Sequence, residues 1–334
     1  MNKFLFKNIS IIGFGLMGGS LAKACKKYNV SENVFGFDID KNQIEFALQN
    51  KIIDGIYNFN QSITNDLIII SSSLLSYEKI LKKLETITSE KTTIIDIGSL
   101  QNFPLKIARK ILQEKSKNFT TCHPIAGSEK SGVSNSNIDL FLGKKIFISK
   151  STLNDENQIK KISEFWQKIG SNPEFISTKE HDKIFSLVSH LPQFLSFAAK
   201  EDFQNTQNDD QILNRHFRLQ NSNPKMWQEI FDLNHDNIEY YLKLFLKNID
   251  EAINLLNEEK YQESHSRRSI LVSCFLNIAD IKKYQKYSGS GFADFTAINR
   301  DQKNNLTKPK ILDENKESLI QFLNNLKSKI HELN

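Results

Sequence analysis

The feature that most constrains the fold of this chain is a glycine pattern near its start. A β-branched run, Ile9 to Ile12, leads into Gly13-Phe14-Gly15-Leu16-Met17-Gly18-Gly19-Ser20, and a helical run, Leu21 to Lys27, follows. Glycines spaced G-x-G-x-x-G between a strand and a helix each have a physical reason. Gly13 permits a tight turn, Gly15 removes a Cβ where a diphosphate approaches the backbone, and Gly18 lets the helix pack close on the strand. The N–H groups of the helix start, at Leu16 and Met17, are then available to anionic oxygens. Asp38 closes the next apolar run, Val34 to Asp38, at the place where a carboxylate accepts hydrogen bonds from an adenosine ribose. A carboxylate there repels a 2′-phosphate, so the pattern predicts NAD rather than NADP. A glycine turn that has lost its ligand would show the same spacing, and the acidic residue in register is what favours the dinucleotide.

Such a motif demands a parallel sheet, and the following sequence supplies one. Ile9 to Gly13, Val34 to Asp38, Leu67 to Ile70, Thr92 to Ile97, Phe119 to His123 and Lys145 to Ser149 read as buried strands alternating with helical patterns. From Thr178 onward strand signals nearly vanish, and apolar residues such as those of Ile230 to Leu256 recur at threes and fours, as packed helices require. The expected fold class is an α/β Rossmann domain followed by an all-α domain. The expected division is residues 1–177, 178–284 and a C-terminal extension, 285–334. Gly and Pro do not cluster at the junction, so the segment starting near Lys179 is expected to enter the helical domain directly.

Composition excludes several classes. The 334 residues carry 44 basic against 39 acidic side chains with the signs interspersed, and only six of the basic residues are arginines. That describes a solvated surface, not a nucleic-acid stripe. Cys25, Cys122 and Cys274 lie far apart with no metal-ligand spacing, so no metal and no disulfide framework are expected, and a reducing cytoplasm fits. The first residues lack a long apolar stretch, and the run Leu67 to Leu75 is interrupted by Ser71, Ser72 and Ser73, so neither a signal peptide nor a membrane partner is expected.

Three further stretches carry chemistry. Asp96-Ile97-Gly98-Ser99 ends a strand where ligands of open α/β sheets bind, although an ordinary helix cap by Ser99 would look the same. His123-Pro124-Ile125-Ala126-Gly127-Ser128-Glu129-Lys130-Ser131-Gly132 closes another strand with a mixture few cores need, and a histidine there can take a hydroxyl proton as hydride leaves. Ser189-His190-Leu191-Pro192-Gln193 sets a proline inside a helical pattern, where a kink would aim His190 at a cleft. Beyond it, Arg218 precedes Asn223-Pro224-Lys225-Met226-Trp227, in which Pro224 suits a first helical turn. The planar guanidinium of Arg218 suits a carboxylate, although any single arginine also suits a surface ion pair.

Taken together and in order, these motifs resemble the prephenate/arogenate dehydrogenase family of tyrosine biosynthesis over roughly residues 8–275. The resemblance implies a homodimer formed through the helical domain. The implied reaction is NAD-dependent oxidative decarboxylation of prephenate to 4-hydroxyphenylpyruvate, with arogenate as the alternative substrate. A non-catalytic NAD-sensing dimer is the reading from another class. By the same resemblance His123 takes the ring-hydroxyl proton, Ser99 orients it, Arg218 clamps a substrate carboxylate, and His190 and Glu129 shape the pocket, with Ser128 and Trp227 lining it. The chain departs from the family pattern in three places. Gln193 stands where a second histidine is usual, Ser71 to Ser73 replace a proline-containing strand end, and Ile212 to Phe217 replace a glycine-rich segment. A similar glycine-rich stretch, Gly291-Phe292-Ala293-Asp294-Phe295-Thr296, occurs about 75 residues later. A surface turn is one reading of it, and a loop returning toward Arg218 with Asp294 is the other.

Overall fold

The computed structural model describes residues 4–60, 65–127, 130–149, 155–200, 219, 222–258, 267–296 and 316–333. They form two compact units that divide after Asp182.

In the first unit the β-branched runs pair into an eight-stranded sheet of order β3-β2-β1-β4-β5-β6-β7-β8. Its strands are β1 (Phe6–Ile12), β2 (Ser31–Phe37), β3 (Gly55–Ile56), β4 (Leu67–Ile70), β5 (Thr93–Asp96), β6 (Phe119–Pro124), β7 (Lys145–Ser149) and β8 (Asn172–Ile176). All neighbours run parallel except β6 and β7, which pair antiparallel with His123 opposite Phe147. The outward reversal from β1 to β4 is the point where dinucleotides bind in doubly wound sheets. Every residue of β4 and β5 is buried, as expected for strands covered by helices on both faces. The helices are α1 (Leu16–Lys27), α2 (Lys41–Gln49), α3 (Tyr77–Ile87), α4 (Asn102–Leu112), α5 (Glu156–Lys168) and the start of α6 (Thr178–Phe185). Phe165 and Trp166 of α5 meet edge to face at 5.0 Å in the core beside β1. The short β3 and the edge strand β8 carried too little apolar alternation to be read from sequence.

The second unit is helical among its described residues. A π-turn over Ser186–His190 runs straight into α7 (Leu191–Ala198), which carries Pro192 in its first turn. Proline has no N–H to give, and the wide turn ahead of it absorbs the missing hydrogen bond, so the chain stays helical where a kink was expected. Asn223 caps α8 (Pro224–Leu233) by accepting the N–H of Lys225 at 3.0 Å, with Pro224 in the first turn as its chemistry suggests. On α9 (His235–Asn257), Ile238, Tyr241, Leu242, Phe245, Ile249, Ala252 and Leu256 recur every three or four residues and are all buried. They pack against α10 (Arg267–Leu276) and α13 (Lys316–Leu333), after α11 (Ile281–Tyr284) and α12 (Ser290–Thr296).

The glycine-rich stretch near the C-terminus is neither a surface turn nor a loop. It is α12, which packs against α7, with Phe295 fully buried 5.0 Å from the ring of Phe275. The side chain of Asp294 and the whole of Arg218 lie outside the described residues, so the expected approach of the two falls there as well.

Candidate active site

Gly13 adopts φ +96°, and a Cβ on it would fall 2.4 Å from the carbonyl oxygen of Ser71. Only glycine permits that approach between the turn and the end of β4. Gly18 is as tightly placed, since its Cβ would meet the carbonyl oxygen of Gly13 at 2.1 Å. Gly15 is different: a Cβ there would meet nothing within 4 Å. It is the N-cap of α1 and offers no side chain to satisfy the free N–H groups around Leu16 and Met17. A glycine with open space beside it, facing uncapped N–H groups, fits a bound diphosphate.

Asp38 does more than its position at the end of β2 suggested. Its Oδ2 accepts the N–H of Phe14 at 2.6 Å, which braces the glycine turn, and its Oδ1 accepts the N–H of Asp40 at 2.9 Å, which fixes the turn leading into α2. The serine run after β4 is braced too. Ser71 donates its N–H to the carbonyl of Ile12 at 2.7 Å, and the hydroxyls of Ser72 and Ser76 lie 2.8 Å apart.

At the carboxyl ends of β5 and β6, Asp96 pairs in register with Thr121, which brings the half-buried Ser99 and His123 just beyond the same edge. Asp96 itself is fully buried. Burial holds its carboxyl well above the usual carboxylate range, against the opposing pull of hydrogen bonds from the Gly98 N–H at 3.0 Å and the Tyr77 hydroxyl at 3.2 Å. Through the Gly98 N–H it shapes the turn that leads to Ser99. His123 Nδ1 lies 2.8 Å from Nε2 of His181, whose Nδ1 lies 2.8 Å from Oδ1 of Asp182. Asp182 also accepts the N–H groups of Gln101 and Asn102, each at 2.9 Å, at the start of α4. Past His123, Gly127 and Gly132 adopt positive φ, and Val133 donates its N–H to Gln43 Oε1 at 2.8 Å, which ties the loop to α2. Ser128 and Glu129 lie outside the described residues.

In the helical unit His190 is buried, with Nδ1 3.1 Å from Asn234 Nδ2 and its ring 6.1 Å from that of Trp227, edge to face. Trp227 leans in turn on Phe231. Gln193 is buried as well and donates its amide to the carbonyl of Leu219 at 2.7 Å, so it anchors the backbone next to Arg218. Among the described residues no group of three or more His, Cys, Asp or Glu is placed to hold a metal ion, and no helix is long and apolar enough to cross a membrane.

Comparison with known proteins gives the arrangement a context. The family model for the prephenate dehydrogenase nucleotide-binding domain matches residues 21–174, and that for the prephenate dehydrogenase dimerization domain matches residues 177–268. A prephenate dehydrogenase of A. aeolicus, solved with hydroxyphenyl propionate and NAD+, is 30% identical, covering 84% of this chain and 98% of its own, with a TM-score of 0.71. The chain belongs to the prephenate dehydrogenase family. Prephenate dehydrogenase of Bacillus subtilis (strain 168) is 26% identical over 266 residues, 75% of this chain and 70% of its own length. An arogenate dehydrogenase of Synechocystis shares the fold at 18% identity, covering 84% of this chain and 99% of its own, with a TM-score of 0.66.

For a member of the prephenate dehydrogenase family, the residues that sequence reasoning passed over are His181 and Asp182. The signal was visible as Glu180-His181-Asp182, three titratable residues in a row at the start of a helix. Nothing in their spacing pointed to His123, which lies 58 positions earlier.

Proposed function

We propose that this enzyme oxidises and decarboxylates prephenate with NAD, yielding 4-hydroxyphenylpyruvate, CO2 and NADH. One observation carries the reading most directly: the glycine turn with its uncapped helix start, Asp38, Ser99 and His123 all stand at the carboxyl ends of parallel strands of one sheet. NAD, when bound, supplies the acceptor for the hydride that leaves the ring carbon bearing the hydroxyl. Gly13, Gly15 and Gly18 with the N–H groups of Leu16 and Met17 would hold its diphosphate, and Asp38 its adenosine ribose.

His123 accepts the hydroxyl proton as the C–H electron pair departs, so the ring carbon becomes a carbonyl rather than a high-energy cation. The bond from the ring to its carboxylate then breaks, CO2 leaves, and that electron pair completes the aromatic ring. The phenolate oxygen finally recovers the proton from His123. Ser99, whose hydroxyl has no protein partner among the described residues, is assigned to the substrate hydroxyl. Arg218 is assigned to the side-chain carboxylate, and Ser128, Glu129, His190 and Trp227 to substrate binding. Orientation by such contacts supplies several kcal/mol of the barrier, so a moderate base suffices. The helical unit is assigned the homodimer contact, and the free thiols of Cys25, Cys122 and Cys274 suit a cytoplasmic protein.

The test is NADH absorbance after mixing enzyme and NAD with prephenate and, separately, with arogenate. Turnover of prephenate with the higher kcat/KM supports the reading. A preference for arogenate would move the substrate assignment, and silence with both would leave a dinucleotide sensor.

A further inference from the structure

Asp182, His181 and His123 form a continuous hydrogen-bonded chain that no role above uses. The chemistry of its ends decides where its protons lie. Asp182 sits at the positive end of α4 and accepts two backbone N–H groups, so both of its oxygens serve there as acceptors. An ionised carboxylate can only accept, so His181 Nδ1 must be the donor across their 2.8 Å contact. His181 is fully buried, and that burial lowers its pKa more than the neighbouring Asp182 raises it, so the ring carries one proton. Its Nε2 is then a lone pair, and the 2.8 Å contact to His123 needs a donor, which is His123 Nδ1–H. The tautomer that donates at Nδ1 carries its lone pair on Nε2.

Resting on the reading of His123 as the proton acceptor, we infer that His181 and Asp182 are positioning residues that lock His123 in its Nδ1–H tautomer and stabilise the imidazolium formed when Nε2 takes the substrate proton. Without them a free imidazole exchanges its proton between the two nitrogens and rotates about its side-chain bonds. The groups facing His181 are consistent with this task. His123 comes from β6 and Asp182 lies next to it in the chain. Phe147 from β7 closes the side with its ring at 6.2 Å, and the buried Asp96 of β5 lies within electrostatic reach of Asp182, whose negative charge helps to hold the Asp96 carboxyl up. Asp182, hydrogen-bonded to His181, sets a negative charge beside the two rings.

The test compares His181→Phe, His181→Gln and His123→Asn in the full-length enzyme. With His181→Phe, kcat is expected to fall by more than about tenfold while the KM for prephenate and the NAD dissociation constant stay within about twofold. The acidic limb of kcat/KM is expected to move to lower pH, because the imidazolium has lost its anion-backed acceptor. His181→Gln should recover much of kcat, since an amide can accept from His123 and donate to Asp182. A His181→Phe enzyme with unchanged kcat and an unmoved limb, beside an inactive His123→Asn enzyme, overturns the inference alone. A fully active His123→Asn enzyme overturns the proton-acceptor reading beneath it. If His181→Phe fails to fold, NMR of the histidine ring nitrogens in the parent enzyme decides: a proton on His123 Nδ1 supports the inference, and one on Nε2 overturns it.

Discussion

The N–H of Phe14 donates to Asp38 Oδ2 at 2.6 Å, so the carboxylate assigned to the adenosine ribose also braces the glycine turn. Asp38→Ala is expected to act twice. Loss of the hydrogen bonds from Phe14 and Asp40 costs about 1–3 kcal/mol of stability, and the repulsion of a 2′-phosphate disappears. Thermal melts and steady-state kinetics with both cofactors test this. The NADP/NAD ratio of kcat/KM should rise while the melting temperature falls, and an unchanged ratio would remove Asp38 from cofactor selection.

The three glycines of the turn separate folding from binding. Gly15→Val should fold with a melting temperature near the parent's, because its Cβ meets no protein atom, yet bind NAD at least about tenfold more weakly. Gly13→Ala should lose more than about 2 kcal/mol of stability, from the positive φ and the close carbonyl of Ser71. Melts and NAD titrations of the two variants distinguish the cases. Equal stability loss in both would mean the open space beside Gly15 serves packing after all.

His123→Asn is expected to lower kcat about a hundredfold or more with NAD binding retained, the size of a lost proton acceptor. Arg218→Ala is expected chiefly to raise the KM for prephenate, as a carboxylate clamp acts in ground and transition states alike. A pure kcat effect at Arg218 would assign it a different role.

The buried acid Asp96 predicts a pH dependence of stability with a definite sign. Its carboxyl titrates higher in the folded than in the unfolded chain, because burial disfavours the charged form. The folded state therefore binds more protons above the unfolded value of roughly 4, and stability falls as pH rises from there toward the folded value. Asp96→Asn removes this component. Melting temperatures of parent and variant, measured from mildly acidic to alkaline pH, should diverge in slope, with the flatter curve belonging to Asp96→Asn. Parallel curves would contradict the upward shift of the Asp96 carboxyl.

Truncation after Tyr284 is expected to lower the melting temperature by more than about 10 °C before any effect on catalysis is read. The deletion strips Phe292 and Phe295 from Phe275, and it also removes Leu319, Phe322, Leu323, Leu326 and Ile330, all buried on α13. A truncated chain with parental stability would show these helices to be dispensable.

Most of the dinucleotide half was legible in the sequence. Turn geometry and burial act locally, so the G-x-G-x-x-G spacing, the β-branched runs and Asp38 each state their own structural reason within a few residues. The helical spacing of Ile238 to Leu256 and the Asn223-Pro224 helix start were legible for the same reason. The brace from Asp38 to Phe14, the raised carboxyl of Asp96 and the coupling of His123 to His181 were not. Each depends on a strand or helix arriving from far along the chain: Phe14 meets a residue 24 positions away, Tyr77 one 19 away, and His123 one 58 away. Residue type and spacing determined the elements and the chemistry available to them. Only the tertiary structure decided which groups lose water together and which of them share a proton, because desolvation and hydrogen-bond partners depend on packing across strands rather than on order along the chain.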